Sequence, residues 1–496
     1  MSEFDTIDWA ALAAKAEYPH QAFINGKNVD SVSGKTEATF NPANGEVIAN
    51  IADCCPEDAD IAVQNARATF ESGVWSQMAP GERKEILLRW AQLIEDNLEE
   101  MALFECVDAG KPISDTYNID VPGAIKTIRW TAEAIDKVYE EIAPTSHDTI
   151  ALVTRLPLGV VLAIVPWNFP LSTTAWKLAP ALATGNSVIL KPDPKTPLTA
   201  LRIAQLATQA GLPDGVLNVL PGDGINLGKH LSLHNDIDGQ TFTGSTKVGK
   251  LLQQYSGQSN LKRTFLELGG KSANIVFNDA NLEEAAEMAA VASFYNSGQT
   301  CTAGTRLLIQ EDIYDKFLAM VIEHAKSWKE GHTFGGTPMG AIINQGQLDT
   351  IQGYIKMGKE EGARLVLGGN VTQTESGGFY HDATIFADVD NNMRIAQEEI
   401  FGPVMSVIKF KDEADAIRIA NDSPYGLAGA VWSQNINTAL KVAAGVRTGT
   451  MGVNNYFGGD ITVPFGGFKE SGNGRDKSLH AMDDYTELKT TWIQLS

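Results

Sequence analysis

Apolar positions recur along the chain in two rhythms, and the rhythm changes with location. From Phe23 to Ala52 apolar and polar residues alternate around Asn25-Gly26, Asn41-Pro42 and Asn44-Gly45, which predicts small hairpins. From Pro56 to Gly110 the step lengthens: Leu87, Leu88, Ala91, Leu93, Ile94, Leu98 and Leu103 fall at helical spacing. A further helix is expected up to about Val138. Tyr139 to Leu156, rich in Thr and Ile, reads as an extended arm, and the alternating stretch from Asp484 as an edge strand. The two are expected to pair across a subunit interface.

Strands and helices then alternate. Gly159 to Pro166 is a continuous apolar run, as in a strand buried on both faces; Ser187–Leu190, Val216–Leu220 and Gln240–Thr243 are the next strands. The helix after Leu190 is punctuated by Thr196 as N-cap, Pro197 at its first position, and Gly211 and Pro213 past its end. The cycle restarts with Ala273–Phe277, so a second α/β domain is placed from Glu267 onward. Such repetition predicts parallel sheets covered by helices. An Ala-rich helix over Leu282–Phe294 and a buried strand over Arg306–Ile309 bracket a lone cysteine, Cys301.

A chain of 496 residues exceeds what one hydrophobic core serves, and 43% hydrophobic with 20% charged residues describes an ordinary globular protein. The formal net charge of -22 argues against nucleic acid and anionic membranes as partners. Four cysteines, Cys54, Cys55, Cys106 and Cys301, show no metal-ligand or disulfide spacing, so no metal is expected. The acidic start, Met1 to Asp8, lacks a signal-peptide core, and no apolar run is long enough to span a bilayer; a cytoplasmic location is expected.

A cysteine held in a turn between a helix and a strand is a candidate nucleophile, although a small buried hydrophobe is its commoner role. Gly244-Ser-Thr-Lys-Val-Gly249-Lys250-Leu251 nearly matches a P-loop, but Leu251 stands where Mg²⁺ needs a hydroxyl. Val248, Leu251, Leu252 and Tyr255 form one helix face, which assigns Leu251 to the core. What survives is an anion site at a helix N-terminus suited to a pyrophosphate. Asn168 and Lys191 end buried strands, where α/β folds bind ligands; Asn168 read alone is a helix cap. Glu267, before two glycines, is a carboxylate able to activate water if a thiol lies near.

Pro166-Trp-Asn-Phe-Pro170, Phe242-Thr-Gly-Ser245, Leu266-Glu-Leu-Gly-Gly270, Gly298-Gln-Thr-Cys301, Glu398-Glu-Ile-Phe-Gly-Pro403 and Pro464-Phe-Gly-Gly467 together resemble the aldehyde dehydrogenase superfamily, in order and over nearly the whole chain. Asn454 to Asp460 and Ser471 to His480 look most like γ-glutamyl-γ-aminobutyraldehyde dehydrogenases and their amino- and guanidino-aldehyde relatives. The resemblance implies an NAD(P)-binding domain (1–138 and 157–266), a catalytic domain (267–475) and an oligomerisation arm (139–156 and 476–496) in a dimer or tetramer. It implies Cys301 as nucleophile, Asn168 and the Cys301 N–H around the oxyanion, Glu267 as hydrolytic base, and Lys177 as a buried lysine tuning them. Lys191 and Glu399 would hold the riboses, Phe401 the nicotinamide, and Gly244 and Ser245 the pyrophosphate, with Trp167, Gly249 and Leu268 completing the cofactor site. Asp120, Phe169, Trp176, Asp460 and Phe465 would line an aldehyde tunnel whose mouth, with Gly459 in place of an aromatic plug, is wide. An ω-amino, γ-glutamylamino or guanidino aldehyde of polyamine-type catabolism is the expected substrate.

Two positions depart from the family pattern. Pro194 replaces a glutamate common in NAD-preferring relatives, so NADP is expected to be tolerated beside NAD. Gly474-Arg475-Asp476 is one methylene shorter than the usual Gly-Arg-Glu, which weakens Asp476 as a second base. Broad aliphatic or betaine-type aldehydes are the alternative substrates. An acyl-CoA-forming enzyme would not need Glu267, and a cysteine hydrolase would want a histidine that no motif supplies.

Overall fold

A computed structural model describes residues 4–496; the first three residues of the acidic start lie outside the described range. The run Val160–Ile164 is a central strand, and its continuous apolarity has a plain cause. Val160 and Leu162 pack with Ala59, Ala62, Val63 and Ala66 of the helix Pro56–Ser72. Val161 and Ala163 face the other way, into a core with Leu171, Ala175 and Leu178 of the helix Pro170–Ala183. A strand covered on both faces has no polar side to show.

Its sheet has seven strands in the order Arg263–Glu267, Gly239–Thr243, Val160–Ile164, Ser187–Lys191, Leu217–Val219, Ala22–Ile24, Lys27–Val29. The first five are parallel; the last two are the predicted Asn25-Gly26 hairpin, added antiparallel at the edge. A second seven-stranded sheet runs Arg364–Leu367, Thr384–Ala387, Val404–Phe410, Arg306–Gln310, Ala273–Val276, Ala428–Trp432, Thr450–Val453, parallel except at its first edge. The helices Leu282–Phe294 and Gln345–Glu360 pack into separate cores of this sheet. The fold is α/β with two such sheets.

Three readings need correction. The arm strand Thr149–Pro157 pairs antiparallel with Thr486–Gln494 of the same chain, with Glu141–Ala143 as third strand, so this pairing does not cross an interface. Nine residues in continuous register close that ladder without a partner. Thr196 is not the N-cap: the helix starts at Leu198, and Asp108 Oδ2 accepts the Leu198 N–H at 2.9 Å. A tertiary carboxylate has taken the cap's role. Leu251 is not core: Leu251 and Val248 are exposed, and the buried face of the helix Thr246–Gln258 is Gly249, Leu252 and Ser256. The helix seats so closely on Leu268 that a Cβ at Gly249 would lie 2.6 Å from it, and that contact fixes which face turns inward.

Candidate active site

The thiol stands on a loop bent by unusual backbone. After the helix ends at Phe294, Asn296 (φ 51), Ser297 (φ 54) and Gly298 (φ 69) all lie in the left-handed region. Two consecutive non-glycine residues there are costly, and hydrogen bonds hold them. Asn296 Nδ2 donates to the Asn168 carbonyl at 3.1 Å, and Ser297 Oγ to Gly340 O at 2.9 Å. Asn168 Nδ2 donates to Gln299 O at 2.9 Å; no other acceptor takes that amide among the described residues. Asn168 does not cap the following helix. The cap position is Phe169, and the Leu171 N–H goes instead to the buried Glu105 carboxylate at 3.1 and 3.2 Å. Gly270 lets the segment between the strands Arg263–Glu267 and Ala273–Val276 lie against this loop, since a Cβ there would sit 2.5 Å from the Cys301 carbonyl.

Glu267 is 3% exposed, and among the described residues neither of its carboxyl oxygens has a hydrogen-bond partner. Burial, reinforced by the Asp476 charge, holds its carboxyl well above the usual range. Lys177 is spent nearby, bonded to Asp476 at 2.9 and 3.2 Å with both groups buried. Arg475 donates to the Gly467 and Gly474 carbonyls. Cys301 is pushed up to about 12 by burial and then by the Glu399 and Glu267 carboxylates. Burial thus disfavours the charged form of both groups. Glu399, raised to about 7 by burial, accepts the Gly270 N–H at 3.0 Å.

One cavity of about 1200 Å³ joins these groups. On one side it reaches Gly244, Ser245, Trp167, Leu268, Glu399 and Phe401, with Phe401 (φ 57) edge-on to Trp167 at 5.2 Å. Ser245 Oγ caps the Val248 N–H, leaving the first N–H groups of a 13-residue helix without an acceptor among the described residues. Free N–H groups at a helix start, beside an elongated apolar cleft, fit the pyrophosphate of a dinucleotide. Cys301, Asn168 and Glu267 line the middle of the cavity. Beyond them a second arm is walled by Phe169, Trp176 and Phe465, with Trp176 and Phe465 at 5.2 Å.

Asp120 and Asp460 also reach this wall, but each already has a lysine. Asp120 is buried 2.5 Å from Lys111, whose ammonium also sits 3.8 Å from the centre of the Phe169 ring. Asp460 is ion-paired with Lys126 on the exposed side. Three of the residues named from the sequence stand off the cavity wall. Lys177 holds Asp476, Gly249 packs on Leu268, and Lys191 is buried with its ammonium on the Pro192 carbonyl at 3.2 Å. The sequence reading missed Lys477, which lines the arm with its ammonium 4.5 Å from the centre of Trp176 and 5.4 Å from that of Phe465. It also missed Glu105. Lys477 lies inside the Ser471–His480 stretch, yet its only sequence signal was one more charge.

A parallel-sheet domain with a dinucleotide-sized cleft, opening onto a half-buried thiol and a buried carboxyl, is the frame of an oxidoreductase. The chain belongs to the aldehyde dehydrogenase family, whose model matches residues 29–491. It is 49% identical to the NADP/NAD-dependent aldehyde dehydrogenase PuuC of Escherichia coli (strain K12), over 98% of both chains. Among solved structures it is similar to the γ-glutamyl-γ-aminobutyraldehyde dehydrogenase of Burkholderia cenocepacia, with 53% identity, TM-score 0.97 and 99% of each chain covered. It is also similar to a cysteine-to-alanine mutant of the P. syringae AldA indole-3-acetaldehyde dehydrogenase in complex with NAD+ and IAA (54% identity, TM-score 0.98, covering 98% of this chain and 99% of that one).

Proposed function

We propose that the chain oxidises an ω-amino aldehyde or its γ-glutamyl or guanidino derivative to the acid, with NAD+ preferred and NADP+ accepted. The observation that carries this reading is the single cavity in which Cys301, Asn168 and Glu267 face the junction of a cofactor cleft and a tunnel. Cys301 gives its proton to water and its sulfur attacks the aldehyde carbon, giving a thiohemiacetal. The free amide hydrogen of Asn168 and the Cys301 N–H donate to the oxyanion. Bound NAD+ supplies the acceptor for the hydride that leaves the substrate carbon. The acyl group then rests on Cys301 as a thioester. Glu267, once deprotonated, takes a proton from water; the hydroxide oxygen bonds to the acyl carbon, the C–S bond breaks, and the acid departs. The buried Asp476–Lys177 pair beside Glu267 is a positioning element for that carboxyl.

The names of PuuC and of the Burkholderia enzyme support the cofactor pair and the substrate class. A homo-oligomer, dimer or tetramer, is proposed through the arm, where Tyr139, Ile142, Leu488 and Trp492 are exposed apolar residues. A cytoplasmic location agrees with four free cysteines. Among the described residues no helix is long and apolar enough to cross a membrane.

The decisive experiment uses Glu267→Gln with NAD+ and 4-aminobutyraldehyde. One burst of NADH per active site is expected, followed by arrest, with an acyl adduct on the Cys301 peptide by mass spectrometry. Cys301→Ala should give neither burst nor adduct. Continued turnover by Glu267→Gln would remove Glu267 from the hydrolytic step.

A further inference from the structure

The charges around the tunnel do not balance, and the imbalance has the opposite sign to that expected from the aspartates. Asp120 is neutralised by Lys111 and Asp460 by Lys126. Glu267 is held in its neutral form by burial. Lys477 is left over: among the described residues its ammonium has no carboxylate within ion-pair distance, only the faces of Trp176 and Phe465. Those faces are where a cationic substrate tail would otherwise stack, so the protein's own cation already occupies that role.

The lysine is built into place. Asp476 exchanges backbone hydrogen bonds with Phe465 at 2.8 Å in both directions, and the Ser478 N–H donates to Ile461 O at 2.7 Å. Between those anchors Lys477 (φ 63) and Ser478 (φ 53) both adopt left-handed backbone. A strained turn pinned on both sides fixes where the side chain leaves the main chain. Lys477 is half-buried, on the wall of the arm beyond the thiol.

We propose that Lys477 is a specificity residue that binds a carboxylate at the far end of the aldehyde, so that the tunnel selects N-acylated amino aldehydes carrying a terminal acid over free ammonium-ended ones. This rests on the amino-aldehyde reading above and narrows it. An acyl chain of this kind is neutral at the amide, passes between Phe169 and Trp176, and meets the ammonium with its carboxylate. The free amine would instead bring a second cation beside Lys477.

The test compares four aldehydes with wild-type enzyme and NAD+: N-glutaryl-4-aminobutyraldehyde, its methyl ester, 4-aminobutyraldehyde and butyraldehyde. The glutaryl acid is expected to exceed its own ester in kcat/KM by about 10- to 100-fold, chiefly through KM, as for one hydrogen bond to a charged group. In Lys477→Met that acid-to-ester ratio should collapse towards one, and in Lys477→Arg it should largely survive. Equal rates for acid and ester in wild-type enzyme would overturn the proposal without any variant. So would a ratio that Lys477→Met leaves intact. If butyraldehyde outruns the acid, its ester and 4-aminobutyraldehyde alike, the amino-aldehyde reading itself fails; if the ester or the free amine leads, only the role of Lys477 does.

Discussion

At rest the thiol of Cys301 keeps its proton, because burial first, and then the Glu399 carboxylate beside it, disfavour the thiolate. Activation must then come from what binds beside it, and the protein alone should behave as an unactivated thiol. Without cofactor, alkylation of Cys301 by iodoacetamide is expected to climb about tenfold per pH unit from about pH 7 to 9, with no plateau. The sign follows from the shift: a pKa raised to about 12 leaves the thiolate a growing minority across that whole window. A plateau near pH 8, followed by intact mass, would mean that the loop stabilises the thiolate unaided. Cys301, Glu267 and Asn168 were legible in the sequence because motif spacing fixes them. The partners of Asp120 and Asp460 were not, since Lys111 and Lys126 meet them only through the packing of separate turns. Those pairings reverse the sign of the charge left for a ligand.

The helix Pro170–Ala183 carries one wall of the tunnel, and its start is held from a distance. Glu105, fully buried, accepts the Leu171 N–H with both oxygens and the Thr199 hydroxyl at 2.9 Å, so one side chain ties three helices together. Burial raises it to about 7, and the nearby Asp120 adds to the effect. Glu105→Ala leaves two buried donors unpaired and is expected to cost about 2–4 kcal/mol. Glu105→Gln keeps an acceptor and should cost much less. Urea unfolding of both variants distinguishes them; equal losses would mean that volume, not hydrogen bonding, matters here. That a helix follows Asn168 was readable in the sequence. The cap was not, because it is contributed by Glu105 from a different helix. The same reason took the cap of the next helix away from Thr196 and moved its first residue from Pro197 to Leu198, under Asp108.

Across the whole molecule, the alternation of strands and helices conveyed two parallel sheets, because strands buried on both faces leave an unbroken apolar signature. Antiparallel edges and the pairing of the arm were less legible: period-two segments do not name their partner. The arm sheet presents Leu488 and Trp492 outward on Thr486–Gln494 and Ile142 on Glu141–Ala143, all more than half exposed. Trp492→Asp is therefore expected to lower the assembly mass measured by light scattering while each chain keeps its fold. An unchanged mass would locate the interface elsewhere. The turn that pins Lys477 runs straight into Leu479–Tyr485 and from there into Thr486–Gln494. The tunnel wall and the arm thus share one short tether. In the proposed oligomer, substrate choice is then a property that neighbouring subunits would help to set: dilution that strips them away should loosen discrimination between aldehydes before it abolishes turnover.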